Sequence, residues 1–119
     1  ALYGAEFSSQ AIEAAKLSAQ NESFKTHFEV LDLEKSWPQN WPQPDVILVD
    51  PPRKGLSSTV MNQLMQSQTP VIIYMSCNPE SFAKNIAYMN KDFVLERIEA
   101  FDMMPQTKHV EVLGLLRRR

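Results

Sequence analysis

Cys77 is the only cysteine among the 119 residues, and it stands directly before Asn78-Pro79. Asparagine is a favoured helix N-cap and proline suits the first helical position, so a helix is expected to start there. A thiol at that point meets unpaired backbone N–H groups and the positive end of the helix macrodipole, both of which stabilise a thiolate. A lone cysteine is more commonly an inert buried one, and its place before a helix start brings the two readings near parity. His109 and Glu111 lie two residues apart, so on a strand they share a face and could address one site. Asp50 ends an apolar run and is followed by Pro51-Pro52-Arg53. That segment is either a rigid turn or an acid and a cation placed to orient a planar base or a cofactor. Glu6 and Asp32 each end a strand-like segment, where open α/β sheets gather ligand-binding side chains. An acid so placed can hold ribose hydroxyls through two hydrogen bonds, or simply be solvated beside a helix start.

Two chemistries fit parts of this set poorly. A cysteine, a histidine and an acid suggest a cysteine hydrolase, yet nothing marks an oxyanion hole or an acyl pocket. Asp-Pro-Pro loops occur in adenine and cytosine amino-methyltransferases, but with an aromatic residue where Arg53 stands, which argues against methylation of an amino group. No CxxC pair exists, so no metal site is expected.

The elements that must position these residues follow from pattern. Ala1–Glu6 reads as a buried strand. Ser8 or Ser9 caps a helix with Ala11, Ile12, Ala15 and Ala19 on one face. Thr26–Leu31 is strand-like, and the prolines 38, 42 and 44 forbid regular structure between Ser36 and Pro44. Asp45–Asp50 has the β-branched, apolar composition of a central parallel strand buried on both faces. Ser57 or Ser58 caps a second helix that turns Val60, Met61, Leu64 and Met65 inward. Pro70–Met75 is another buried strand, and the helix after Asn78 turns Phe82, Ile86 and Met89 inward. Phe93–Ala100 and His109–Leu116 read as final strands, with Arg117–Arg119 as a solvated tail. The order predicts a mostly parallel sheet with an antiparallel finish, an α/β, Rossmann-like architecture in one domain over residues 1–119.

Composition bounds the rest. The net charge of −2 gives no bulk positive field for nucleic acid. A single cysteine excludes an internal disulfide, so a reducing, cytoplasmic setting is expected. No apolar run approaches the roughly 20 residues that span a bilayer, so no membrane association is expected. Gly4, Gly55 and Gly114 are the only glycines, and none forms the Gly-rich turn that opens a Rossmann-like nucleotide site. The expectation is a piece of a longer chain, truncated before its first strand and Gly-rich loop. Loss of that strand would leave two sheet edges without a neighbour, favouring self-association.

Four segments together resemble the catalytic domain of the RNA uracil-C5 methyltransferases. They are Tyr-Gly-Ala-Glu-Phe-Ser (Tyr3 to Ser8), Asp-Pro-Pro-Arg-Lys-Gly (Asp50 to Gly55), Ser-Cys-Asn-Pro (Ser76 to Pro79) and Phe-Asp-Met-Met-Pro-Gln-Thr-Lys-His-Val-Glu (Phe101 to Glu111). The last resembles the 23S ribosomal RNA enzymes more than the transfer-RNA enzyme. The resemblance implies a class I S-adenosylmethionine-dependent methyltransferase fold and methylation of C5 of a uridine in 23S rRNA. It implies Cys77 as the nucleophile adding to C6 and Glu111 as the base removing the C5 proton. Glu6, Asp32 and Asp50 fall at cofactor-binding positions, and Arg53 and His109 at substrate-positioning ones. Met104 departs from the Phe usual in that loop, and Gln106 stands where relatives often carry His or Tyr. The 4Fe-4S cluster of many relatives is held by cysteines outside the segments matched here. The alternatives are a tRNA uracil-C5 methyltransferase and a non-catalytic RNA-binding module of the same fold.

Overall fold

The computed structural model describes residues 1–119. Its elements run β1 (Leu2–Glu6), α1 (Ser9–Ser18), β2 (Thr26–Val30), β3 (Val46–Val49), α2 (Ser58–Gln66), β4 (Val71–Ser76), α3 (Pro79–Met89), β5 (Phe93–Phe101) and β6 (Glu111–Arg118). Each helix starts where a side-chain oxygen is available to cap it. Ser8 Oγ accepts from the Ala11 N–H at 3.3 Å, Ser57 Oγ from Val60 at 3.2 Å, and Asn78 Oδ1 from Glu80 at 3.1 Å. Each cap satisfies an orphan donor of a first helical turn. Segment 36–44 forms neither helix nor strand, as its prolines require.

The chain divides into two units, Ala1–Pro42 and Gln43–Arg119. In the first, β1 and β2 pair in parallel with Tyr3 opposite His27. Those two rings stack at 4.7 Å, and the Trp41 ring lies 5.2 Å from Tyr3. Trp41 Nε1 donates to Glu29 Oε1 at 2.6 Å, so the Trp loop is fastened to the sheet by one ring and one hydrogen bond. On α1 only Ile12 is buried; Ala15 and Ala19 are half-buried and Ala11 is exposed.

In the second unit the strand order is β3-β4-β6-β5. β3 runs parallel to β4, and β6 is antiparallel to both β4 and β5. This sheet therefore has one parallel and two antiparallel ladders, and only with the separate β1–β2 pair do parallel ladders equal antiparallel ones, so it is not mostly parallel. The final strand fills the place between β4 and β5 because antiparallel pairing needs only the short 102–110 connection. One face carries Ile72, Tyr74, Gly114 and Leu116 and is covered by helix. The Tyr74 and Phe82 rings meet there at 5.0 Å. Gly114 lets Phe82 lie close, for a Cβ at 114 would stand 2.5 Å from its Cζ. The opposite face carries Val46, Leu48, Ile73, Met75, Leu113 and Leu115, the other half of each alternation.

Three expectations are corrected here. β3 is an edge strand, not a central one buried on both faces: Val46 and Leu48 are 49% and 60% exposed. It has one neighbour, β4, and α2 and α3 cover only the other face. The terminal arginines are not a solvated tail. Arg117 and Arg118 are residues of β6, and the Arg119 N–H donates to the Asp92 carbonyl at 3.0 Å. The last strand starts at Glu111, leaving His109 in the preceding loop. No helix is long and apolar enough to cross a membrane.

Candidate active site

β4 ends in Ser76, and the chain turns at once into α3. Ser76 Oγ accepts from the Asn78 N–H at 3.1 Å and donates to the Asn78 carbonyl at 3.0 Å. This buried hydroxyl folds the Ser-Cys-Asn corner tightly and presents Cys77, half-buried and free, beside the start of α3. The start of α3 places the positive end of its dipole beside Cys77.

The loop after β3 is clamped to that same helix. The Arg53 carbonyl accepts from Asn78 Nδ2 at 3.1 Å and from Ser81 Oγ at 2.9 Å. Asn85, two turns into α3, accepts from the Leu56 N–H at 2.8 Å and donates to the Leu56 carbonyl at 3.1 Å. Tyr74 donates its phenol to the same Asn85 oxygen at 2.6 Å. Gly55, at φ +84°, is required between these anchors, since a Cβ there would stand 2.6 Å from Asn85 Oδ1. Burial pushes the Tyr74 phenol above its ordinary pKa; the Leu56 backbone works against this and the charge of Cys77 adds to it.

Strand alternation brings the rest together. Asp50 continues the face of Leu48, Cys77 continues that of Met75, and Glu111 sits opposite Phe101 on the face of Leu113. Asp50, Cys77 and Glu111 accordingly line one open cleft of about 540 Å³, walled by Met75, Phe101, Met103 and Leu113. Asp50 is exposed and Glu111 half-buried. Arg53 and His109, both exposed, meet each other, Nη1 to Nδ1, at 3.1 Å. The shared strand face expected for His109 and Glu111 does not exist, because His109 is in a loop. Its N–H donates to Thr107 Oγ1 at 3.2 Å. At the far end of α3's first turn, Lys84 lies 3.0 Å from Glu80 and holds that carboxyl below its usual range.

Glu6 and Asp32 belong to the first unit. They end neighbouring parallel strands, and the Leu31 N–H donates to the Glu6 carbonyl at 2.9 Å. Glu6 Oε1 accepts from the Ser8 N–H at 2.9 Å, and Asp32 Oδ1 from Glu34 at 3.0 Å. Lys35 Nζ is 3.7 Å from Asp32 Oδ2. Both are strand-end acids whose carboxylate oxygens accept from nearby backbone N–H groups.

Sequence reasoning passed over Asn85. The signal was present: it falls inside the apolar stripe of Phe82, Ile86 and Met89, where a polar residue needs partners.

The chain resembles known methyltransferases along nearly its whole length. It is 37% identical over 123 residues to YljE of Lactococcus lactis, described as an uncharacterized RNA methyltransferase, covering 99% of this chain. It is 38% identical over 118 residues to the 23S rRNA (uracil(747)-C(5))-methyltransferase RlmC of Salmonella typhimurium, covering 98%. The chain spans 27% and 31% of the length of those two relatives. Among solved structures it matches the tRNA (uracil-54, C5)-methyltransferase of Pyrococcus abyssi, in complex with S-adenosyl-L-homocysteine, with a TM-score of 0.83 and 33% identity. That match covers 96% of this chain and 28% of the other. The N-methyltransferase NodS of Bradyrhizobium japonicum, only 10% identical, shares the fold at a TM-score of 0.72 over 98% of this chain and 65% of its own. The fold is thus the mixed α/β fold of S-adenosylmethionine-dependent methyltransferases. The family model of the tRNA (uracil-5-)-methyltransferases matches residues 10–119, and the chain belongs to that family.

Proposed function

We propose that this chain carries the reacting groups of an RNA uracil-C5 methyltransferase and acts on a uridine of 23S rRNA. The observation that supports it most is the single cleft lined by Asp50, Cys77 and Glu111. C5 of uracil is too weak a nucleophile to attack a methyl donor unaided. The Cys77 thiolate forms a bond to C6, and the C5–C6 π pair moves toward the C4 oxygen, making C5 carbanion-like. S-adenosylmethionine, when bound, supplies an electrophilic methyl group to that carbon. Glu111 then takes the C5 proton, the double bond re-forms, and the thiolate leaves with the electrons of the S–C6 bond. The apolar walls Met75, Phe101, Met103 and Leu113 suit the face of a flat base. Glu6 and Asp32 are assigned to the nucleoside part of the cofactor and Asp50 to its amino-acid end. Arg53 and His109, exposed at one side, are assigned to positioning the RNA.

The test uses the longest natural reading frame that contains these residues. It is mixed with S-adenosylmethionine and 23S rRNA fragments carrying 5-fluorouridine, then run on a denaturing gel. Fluorine at C5 cannot leave as a cation, so a methylated adduct on Cys77 is expected. Glu111→Gln should give the same adduct on ordinary uridine, because the C5 proton stays in place. Absence of any adduct, with cofactor binding intact, would sink the covalent reading and favour a non-catalytic RNA-binding module. A tRNA substrate is the second reading, supported by the Pyrococcus abyssi relative. Parallel arms with tRNA and 23S rRNA fragments distinguish the two by which RNA is trapped.

A further inference from the structure

The loop from Asp50 to Leu56 has only weak means of holding itself in place. Pro51 and Pro52 have no N–H to donate, and Arg53 and Lys54 are exposed. Within the loop a single backbone turn forms, Gly55 N–H to the Pro52 carbonyl at 2.8 Å. Apart from the exposed Arg53–His109 contact, the other anchors come from α3, the helix whose start flanks Cys77. Asn85 is the deepest of them and is 7% exposed. Its carboxamide accepts twice, from the Leu56 N–H and the Tyr74 phenol, and donates once, to the Leu56 carbonyl. Ser81 and Asn78, on the same side of the helix, hold the Arg53 carbonyl. One element therefore fixes both sides of the cleft: α3 orients Cys77 at its beginning and holds the Asp50–Arg53 loop through Asn78, Ser81 and Asn85.

We propose that Asn85 is a positioning residue, whose carboxamide sets the place of the Asp50–Arg53 loop relative to Cys77 without itself facing the cleft. This inference rests on the proposed covalent mechanism. Asn85 is absent from the cleft lining, while Asp50 and Cys77 are both part of it. Two hydrogen bonds from one buried group hold Leu56 at the end of the loop, and a third, from Tyr74 of β4, fixes that group itself. Losing them lets the loop shift by a fraction of its own width, and a misplacement near 1 Å costs on the order of 10²-fold in rate.

The test compares Asn85→Ala with wild type in the longest natural reading frame containing the chain. Two readouts are set side by side: the rate of the 5-fluorouridine adduct, and the rate at which iodoacetamide alkylates Cys77. Thiol reactivity depends on the start of α3, whereas productive attack on the base depends on the loop as well. A positioning role predicts an adduct rate down by roughly 10²-fold and an alkylation rate within about twofold of wild type. Asn85→Asp, which can still accept from Leu56 and Tyr74, should recover part of the loss. Equal adduct rates in Asn85→Ala and wild type would overturn the proposal. So would a change in alkylation as large as the fall in adduct, in either direction, which is the mark of a disturbed α3 start or of general unfolding. If Asn85→Ala fails to fold, Ser81→Ala decides. It frees the Arg53 carbonyl from one anchor and should lower the adduct rate several-fold with alkylation unchanged; no change would overturn the proposal. A wild-type protein that forms no adduct refutes the covalent mechanism instead, so the two failures are told apart.

Discussion

Arg53 and His109 meet across the mouth of the second unit, Nη1 to Nδ1, at 3.1 Å. A guanidinium can only donate, so the imidazole must accept at Nδ1 and carry its proton on Nε2. This joins the loop after β3 to the loop before β6, the two segments that bring Asp50 and Glu111 to the cleft. Both side chains are exposed, so the link is worth less than about 1 kcal/mol to stability. Its consequence is tautomeric. Nitrogen-15 NMR of His109 should show the Nε2–H form dominating at neutral pH, and Arg53→Ala should return it to a mixture. An unchanged His109 spectrum in Arg53→Ala would show that the two side chains do not interact in solution.

Arg118 makes the strongest claim on stability outside the cleft. Its Nε donates to the Thr69 carbonyl at 2.9 Å, and Nη2 donates to Met65 and Leu64 carbonyls at 3.1 and 3.4 Å. The guanidinium carbon lies 4.5 Å from the centre of the Phe93 ring. The Leu64 and Met65 carbonyls belong to the last turn of α2, where backbone acceptors lack helical partners. Charged hydrogen bonds contribute about 1.5–3 kcal/mol and a cation–π contact about 0.5–1. These overlap on one group, so Arg118→Ala should cost about 2–3 kcal/mol in urea unfolding. Arg118→Lys keeps the charge but loses the planar fork, and should fall between the two.

The same residue marks where sequence reasoning stops. Helix starts at Ser8, Ser57 and Asn78 were legible because a cap and the N–H it satisfies lie within a few residues. The convergence of Asp50, Cys77 and Glu111 was legible from motif resemblance, and alternation along the strands accounts for it geometrically. Arg118 was not, for its partners lie about fifty positions away in sequence and nothing local distinguishes it from Arg117 or Arg119. β3 was misplaced for a related reason: an apolar run reports composition, whereas edge or centre depends on which strands pair beside it. The position of His109 turned on a two-residue difference in where β6 begins, and that start is fixed by pairing with Phe101 across the 102–110 loop.

Tyr74 ties stability to alkaline pH. The side chain is fully buried, and burial raises its phenol pKa above the ordinary value near 10.0. A group whose folded pKa is raised contributes stability that is complete below the unfolded value and is lost as pH climbs through the folded one. At neutral pH, Tyr74→Phe should be less stable by about 1 kcal/mol, the net worth of one hydrogen bond. Above pH 10 the unfolded wild type gains by ionising and the variant does not. The gap should therefore narrow in urea midpoints taken from pH 8 to pH 11. A constant gap over that range would mean that Tyr74 ionises as readily folded as unfolded.

The two edges of the four-stranded sheet are protected very differently. β5 carries a bulge between Leu95 and Arg97, and its charges include Glu96, paired with Arg117 at 3.0 Å, and Arg97, paired with Glu99. Bulges and charges of this kind discourage pairing with another chain. β3 has neither: it is Val46-Ile47-Leu48-Val49, with Val46 and Leu48 on the exposed face. An unpaired row of backbone groups on an apolar edge is a template for strand addition. The 119-residue chain is therefore expected to self-associate through β3 in sedimentation velocity, increasingly so with concentration. Leu48→Lys adds a charge that another chain would have to bury, and should weaken association by about tenfold or more, the equivalent of roughly 1.4 kcal/mol. Glu99→Lys, on the already charged β5 edge, should leave it unchanged. If both variants weaken association alike, the contact does not run through β3. A wild-type chain that stays monomeric at every concentration would show that the β3 edge is covered.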